Sequence, residues 1–303
     1  MRVLDIVNLL GYDYVGDTKI NIDSIKFASI ATGNDIAIIK NKKDCVSTQA
    51  KVVLTNLIII TDKNVIYSYE DVETAAVRIA NMLIANGDVP NYKAVPDYTY
   101  NNNSLFGKRS IIGKDTVVGP FCVIGDDVTI GSNCVIEDNV HIGSGTIVGD
   151  NVTILSGTKI GVNSNYYYID GSKKLFCGIG ITKISSGVCI GCNSVVQRGT
   201  FSDTCIGENV KIGNLVEIAH DVVIGNDCQI TSQVALAGNV AIGNDVVIYG
   251  QAGVANGISI GDDVTVMGRS AVTKDVKSGM KVSGMFAQEH AKELKVHAKL
   301  RRL

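Results

Sequence analysis

From residue 112 an aliphatic side chain recurs at every sixth position: Ile112, Val118, Ile124, Ile130, Ile136, Ile142, Val148, Ile154 and Ile160. The register resumes at Ile184, Ile190 and Val196, breaks again, and then runs unbroken from Ile206 and Ile212 to Val266 and Val272. Many of these residues precede glycine, as in Ile124-Gly125 and Ile242-Gly243, and four positions after each comes a small or β-branched residue such as Cys122, Val128, Cys134 or Val140. An α-helix would place every sixth residue about 240° from the last and expose half of them. A six-residue period suits a short strand, with two inward residues two positions apart, followed by a Gly- and Asn/Asp-rich corner. Three strands and three corners then close a triangular coil of about 18 residues, stacked on the next by parallel pairing into a solenoid.

The repeat breaks at residues 161–183 and 198–204. These stretches cannot stay in the prism and must loop out, and loops on a rigid scaffold are where binding and catalytic residues concentrate. Residues 1–100 lack the repeat and read as a small α+β domain. Its helices are expected at Leu4–Leu10, stopped by Gly11, and from about Tyr69 to Asn86, stopped by Gly87. Strand-like runs lie at Ile20–Ile25, Ile36–Ile39, Val52–Thr55 and Leu57–Thr61. Pro90, Pro96 and Asn101-Asn102-Asn103 mark a linker. The solenoid domain is expected over 101–284, and 285–303 reads as a short basic C-terminal helix that caps the stack or offers a landing patch to an acidic carrier protein.

Composition sharpens this picture in three ways. With 6% aromatic residues and no Trp among 303, the core must be built from Val and Ile. A net charge of −2 gives no argument for a nucleic-acid partner. No apolar run approaches the ~18 residues of a membrane span. Asp5 interrupts any leader-like stretch at the N-terminus, and three of the eight cysteines (Cys122, Cys134, Cys228) fall on small inward positions. A cytoplasmic protein with reduced thiols is the expectation.

Histidine is scarce: His141, His220, His290 and His297. His220 stands at a corner, two residues after a repeat aliphatic, where the repeat needs no imidazole. Counting by 18 puts Gly238 over His220 and Asn256 over Gly238. A bare glycine above an imidazole lets a substrate approach the backbone and offers an N–H to a developing oxyanion. A lone histidine beside such a donor suits removal of a proton from an attacking amine.

The segment Glu217-Ile218-Ala219-His220-Asp221-Val222-Val223-Ile224-Gly225 resembles the active-site segment of the bacterial UDP-3-O-acylglucosamine N-acyltransferases of lipid A synthesis. Counterparts run along nearly the whole chain: Ala28-Ser29 to Asn41, the Tyr69–Leu83 stretch, Arg198-Gly199, Ala237-Gly238 and Ser283-Gly284. The resemblance implies a mainly β, left-handed parallel β-helix and a homotrimer with active sites between subunits. It implies His220 as general base, Gly238 as oxyanion donor, and acyl carrier protein as the acyl donor, with acyl-CoA the other choice and no cofactor or metal. The acceptor is then a nucleotide-linked amino sugar, and the candidate substrate-binding residues are Asn214, Glu217, Asp221, Asn256, Arg198 and Tyr167. Where that family clamps uracil between two aromatics, this chain has Ile38 and Asp44. Its glycine-aromatic loop reads Asn163-Ser164-Asn165-Tyr166-Tyr167, Gln197 and Gly213 replace acidic residues, and a second family histidine has no equivalent around Asn256-Gly257-Ile258. These departures favour a different amino sugar of a surface glycan as the alternative acceptor. A zinc lyase on the same prism would need three histidines, and only His141 and His220 lie on the coils. A non-catalytic solenoid is the remaining reading.

Overall fold

In the computed structural model, residues 1–59, 61–90, 99–101, 103–284, 295–296 and 298–299 are described. The six-residue repeat folds into a left-handed parallel β-helix with three sheet faces. Register follows the period: Ile124 pairs with Ile142, and Ile142 with Ile160, each 18 residues on. The inward aliphatics and the small residues four positions later form one continuous buried core from Cys122 to Val276. Cys122, Cys134 and Cys228 lie buried in it. Each fully buried Val or Ile contributes about 1.5–3 kcal/mol relative to leaving it exposed, so stacking rather than large rings holds the prism.

The corners explain the polar half of the repeat. One residue per corner adopts the left-handed conformation, and Asn or Asp fills it repeatedly: Asp127, Asn133, Asn139, Asn209, Asp227 and Asn239 all have φ between 55° and 59°. Those short polar side chains tolerate that region better than other L residues. The preceding residue's N–H is capped from the coil above, as where Glu208 N donates to Asn226 Oδ1 at 2.8 Å and Asn226 N to Asn244 Oδ1 at 2.9 Å.

Both breaks leave the prism as expected. Ile160 pairs with Val196 and Val196 with Ile218, spacings of 36 and 22 instead of 18. The first excursion carries an antiparallel hairpin, Tyr166–Asp170 with Ser172–Phe176. The second is a short loop over Gly199–Asp203. The two are tied together: Ile179 N donates to the Thr200 carbonyl (2.9 Å), Ile181 N to Asp203 Oδ1 (2.9 Å), and Lys183 pairs with Asp203 at 2.7 Å.

The N-terminal region holds α1 (Val3–Leu10), β1 (Asp13–Val15), β2 (Ile25–Phe27), β3 (Thr32–Ile38), α2 (Lys42–Ser47), β4 (Gln49–Thr55), β5 (Asn64–Tyr67) and α3 (Val72–Asn86). The sheet order is β1-β5-β4-β3-β2, with only the β1–β5 pair antiparallel. Gly11 and Gly87 stop α1 and α3 in the left-handed conformation. α3 begins at Val72 rather than near Tyr69, because the Asp71 side chain caps the Glu73 and Thr74 N–H groups at 3.1 Å. Two expected strands move. Ile20–Ile25 shares only Ile25 with β2, since Ile20 and Ile22 spend their backbone groups on Val3 N and Met1 O. Leu57–Thr61 leaves the sheet after Thr55 with Ile58 91% exposed, and β5 forms later. β1 and α2 were not foreshadowed by hydrophobic pattern.

The core of this region does not close by itself. Phe176, Ile179 and Phe201, from the two excursions, are buried in the same cluster as Ile6, Ile38, Leu54 and Leu83. Arg78 on α3 adds an ion pair to Asp170 of the hairpin at 3.0 Å. Of the C-terminal tail, Lys295, Val296, Ala298 and Lys299 are helical. His290, His297, Pro96 and Asn102 lie outside the described residues.

Candidate active site

The expected column exists. Asn239 N donates to the His220 carbonyl and Gly257 N to the Gly238 carbonyl, both at 3.0 Å, so His220, Gly238 and Asn256 stack at one corner. Both excursions leave the prism at this same corner, one and two coils below. A Cβ on Gly238 would sit 2.5 Å from His220 Cε1, 2.7 Å from Nε2 and 3.1 Å from Asn256 Nδ2. The imidazole therefore lies against the bare backbone of Gly238, and any side chain there would displace it. Among the described residues, neither His220 N nor Gly238 N has an acceptor. At the Asn226 corner the same position is capped from above.

Asp221 orients the His220 ring. Its Oδ2 lies 2.6 Å from His220 Nδ1, while Oδ1 accepts from the backbone N–H groups of Thr200 (3.0 Å), Phe201 (3.2 Å) and Ser202 (2.8 Å). A carboxylate only accepts, so in the neutral imidazole it is Nδ1 that carries the proton, with the lone pair on Nε2. Asp221 itself has φ 60°, and its N–H is held by Thr204 Oγ1 at 2.9 Å. One residue thus turns the corner, locks the tautomer and fastens the second excursion. Its carboxylate oxygens are occupied by these bonds within the chain.

The hairpin walls the site. Tyr166 packs on the imidazole with ring centroids 5.6 Å apart at 89°, and its ring meets Phe201 at 5.8 Å and Phe176 at 6.5 Å. Burial pushes the Tyr166 phenol up first, and the charge of Glu73 on α3 adds to it. Strand alternation makes Tyr166 the inward residue and leaves Tyr167 51% exposed, with Lys173 5.5 Å over its ring. The aromatic that packs on His220 is Tyr166, one position before Tyr167, the expected substrate-binding residue.

Other expected residues take different places. Arg198 is 2% exposed and donates from Nε to the Gly180 carbonyl (3.0 Å) and from Nη2 to the Ser144 carbonyl (3.1 Å), a brace for the excursions. Glu217 accepts from Gln197 Nε2 at 2.7 Å on the outside of a coil face. Asn214 sits at another corner of the chain and caps Cys192 N at 2.9 Å. Asn256 is exposed above Gly238. His141, half-buried on a coil face, has its pKa lowered by burial and then by Lys159. Ile38 is buried between sheet and helix, and Asp44 completes the capping box of α2 with Asn41.

Sequence and structure comparisons agree with this architecture. The bacterial transferase hexapeptide repeat (six repeats) matches residues 109–143, 127–162 and 203–238. The chain is thus a left-handed β-helix whose coils carry repeats similar to the bacterial transferase hexapeptide. It is similar to a UDP-3-O-acylglucosamine N-acyltransferase of Caulobacter sp. (strain K31), 57% identical over 44 residues, or 14% of this chain and 13% of that protein. The enzyme of the same description from Methylacidiphilum infernorum (isolate V4) is 43% identical over 58 residues, 19% of this chain and 16% of that one. These matched stretches span well under two thirds of the relatives' length. A solved UDP-N-acetylglucosamine acyltransferase from Francisella novicida superposes with a TM-score of 0.55 at 25% identity, covering 65% of this chain and 72% of that one.

Proposed function

We propose that this protein is an N-acyltransferase that moves an acyl group from acyl carrier protein, or from acyl-CoA, to the amine of a UDP-3-O-acylglucosamine-type acceptor. The observation that carries the reading is the His220–Asp221 pair whose imidazole lies against Gly238, in the space a side chain there would fill. The acceptor amine attacks the thioester carbonyl while His220 Nε2 takes its proton. The oxyanion of the tetrahedral intermediate is held by the Gly238 N–H. The C–S bond then breaks, and the proton on His220 passes to the leaving thiolate. Asp221 steadies the imidazolium throughout.

Exposed Ile111, Val117, Phe121, Val135 and Ile147 line the outside of the first coils. Ile111 and Ile147 lie on one face and Val117 and Val135 on another, and exposed apolar side chains of this kind suit burial against a second subunit, which supports a homotrimer. Asn256, exposed above Gly238, remains the candidate substrate contact on the column.

A second reading has its own support. Ile38 is buried and Asp44 is consumed as a helix cap, so neither offers a surface for stacking a uracil base. This favours a different nucleotide-linked amino sugar as acceptor. Incubating the protein with acyl carrier protein or CoA thioesters, and with UDP-3-O-acylglucosamine or other UDP-amino sugars, tests both readings by mass spectrometry. An amide product from UDP-3-O-acylglucosamine supports the first, and one only from another amino sugar supports the second. No amide from any pair rejects acyl transfer.

A further inference from the structure

The second excursion is a tight loop folded back on itself and on the first. A side chain at Gly199 or Gly180 would run into the Ser202 carbonyl oxygen. The N–H groups of Thr200, Phe201 and Ser202 converge on one oxygen of Asp221, at 3.0, 3.2 and 2.8 Å. The other oxygen holds His220 Nδ1 at 2.6 Å. A carboxylate pinned by three donors of one loop is fixed only as well as that loop is fixed. The orientation of the imidazole therefore depends on what holds residues 200–202.

That hold comes from the N-terminal region. The Phe201 side chain is 2% exposed and buried in the core cluster of the N-terminal sheet and helices. Phe27, the last residue of β2, meets the Phe201 ring edge-on at 5.7 Å. Phe27 is itself well placed: it pairs with Ile38 in the sheet, and its carbonyl accepts from Ile30 N and Ala31 N, both at 3.1 Å. From the hairpin, Phe176 stacks on Phe201 at 5.4 Å. Tyr166 meets Phe201 at 5.8 Å and 84°, then packs on the imidazole at 5.6 Å. Aromatic pairs favour such offset and edge-on arrangements, so each ring fixes the next in direction as well as in distance. Both groups that hold the imidazole thus pass through Phe201, Asp221 by its backbone N–H and Tyr166 by its ring.

We propose that Phe27 and Phe201 are positioning residues for His220, through which the N-terminal region sets the orientation of the imidazole. Phe27 acts at two removes: it holds Phe201, and Phe201 holds Asp221 and Tyr166. This rests on His220 acting as the general base. It gives the N-terminal region a part in catalysis besides any contact with the acceptor. The repeat alone stacks His220 beneath Gly238, and the docked N-terminal region fixes the ring.

The test reads the proton on His220 Nδ1 by ¹H–¹⁵N NMR in the full-length, ¹⁵N-labelled protein, assigned by its loss in His220→Gln. Held by Asp221, that proton resonates far downfield and exchanges slowly with water. Phe27→Leu keeps an apolar side chain but removes the ring edge. The proton should then exchange about tenfold faster and kcat fall about tenfold at unchanged KM, a fraction of the 10²- to 10⁴-fold that a general base supplies. Phe201→Leu has the larger effect in the same sense, and Phe27→Tyr, which keeps the ring, stays near wild type. Ile6→Val trims the same core from α1 and leaves both readouts unchanged, which separates orientation from loosened packing. Exchange at the wild-type rate in Phe27→Leu, or equal acceleration in Ile6→Val, overturns the proposal. If Phe27→Leu does not fold by circular dichroism, Phe27→Met takes its place with the same two outcomes. Exchange is measured without acyl transfer, so it stands or falls separately from the general-base reading, which His220→Ala turnover decides.

Discussion

Two corners of one coil, six residues apart, are built to the same plan and end differently. At Asn226 the side chain accepts from Glu208 N below, and the backbone N–H is capped by Asn244 above. At His220 the residue above is glycine, no cap reaches the backbone, and the side chain turns sideways to Asp221 and Tyr166. Inside the prism the coils at both corners are alike, with Ile218, Val222, Ile224 and Cys228 all buried. A corner can give up its cap for about 1 kcal/mol, whereas an inward aliphatic replaced by alanine costs about 2–5 kcal/mol. Chemistry is therefore placed where the repeat is cheapest to interrupt.

Giving the His220 corner a side chain should break it most. Gly238→Ala puts a methyl within 2.5 Å of the imidazole, and transfer is expected to fall by about 10²-fold or more, the size of losing an oxyanion donor or base geometry. The far-UV circular dichroism of the coil should not change. Asp221→Asn leaves a residue that tolerates φ 60° but replaces one acceptor oxygen with a donor. The imidazole tautomer and the 200–202 tether are then in conflict. A loss of about 10- to 100-fold in kcat is expected, with about 1–3 kcal/mol in urea unfolding from the disturbed buried hydrogen bonds. Asn226→Ala sharpens the contrast from the other side. It should cost about 1 kcal/mol for the lost cap and leave transfer unchanged.

The smallest effect is on acidification. Against its burial, Glu73 is held below its ordinary range chiefly by Lys40, so its contribution to the stability of the N-terminal region is fully present above the unfolded carboxyl pKa. That contribution is lost as pH falls through the depressed value. The Lys40–Glu73 pair is partly exposed, with side-chain accessibilities of 42% and 38%, so the loss is modest and screened by salt. Proteolysis of the N-terminal region at falling pH, compared between wild type and Glu73→Gln, should reveal a difference that vanishes once Glu73 is protonated.

Much of this was legible in the pattern of hydrophobic positions. The six-residue period sets strand length, coil size and the stacking of Gly238 and Asn256 over His220, because each inward residue must repeat to fill one core. The two breaks could be read as excursions for the same reason. Their content could not. Whether Tyr166 or Tyr167 faces the base depends on the pairing register of the hairpin, which three adjacent tyrosines leave open. Asp221 looked like a ligand residue because the loop that supplies its three N–H donors lies 19 to 21 residues earlier. Arg198, singled out by the family resemblance, is buried and donates to the Gly180 and Ser144 carbonyls, partners that no local pattern reveals. In the N-terminal region Leu57–Thr61 has the composition of a strand, but strand propensity reflects half-buried packing, and this segment finds no partner strand.

The central claim is that His220 removes the proton from the attacking amine. The most direct measurement is kcat for acyl transfer to the UDP-amino sugar by His220→Ala beside the wild type, with circular dichroism and subunit assembly checked on the same samples. A general base contributes about 10²- to 10⁴-fold. The account predicts a loss in that range with fold and assembly intact, and transfer at the wild-type rate by the folded variant would contradict it.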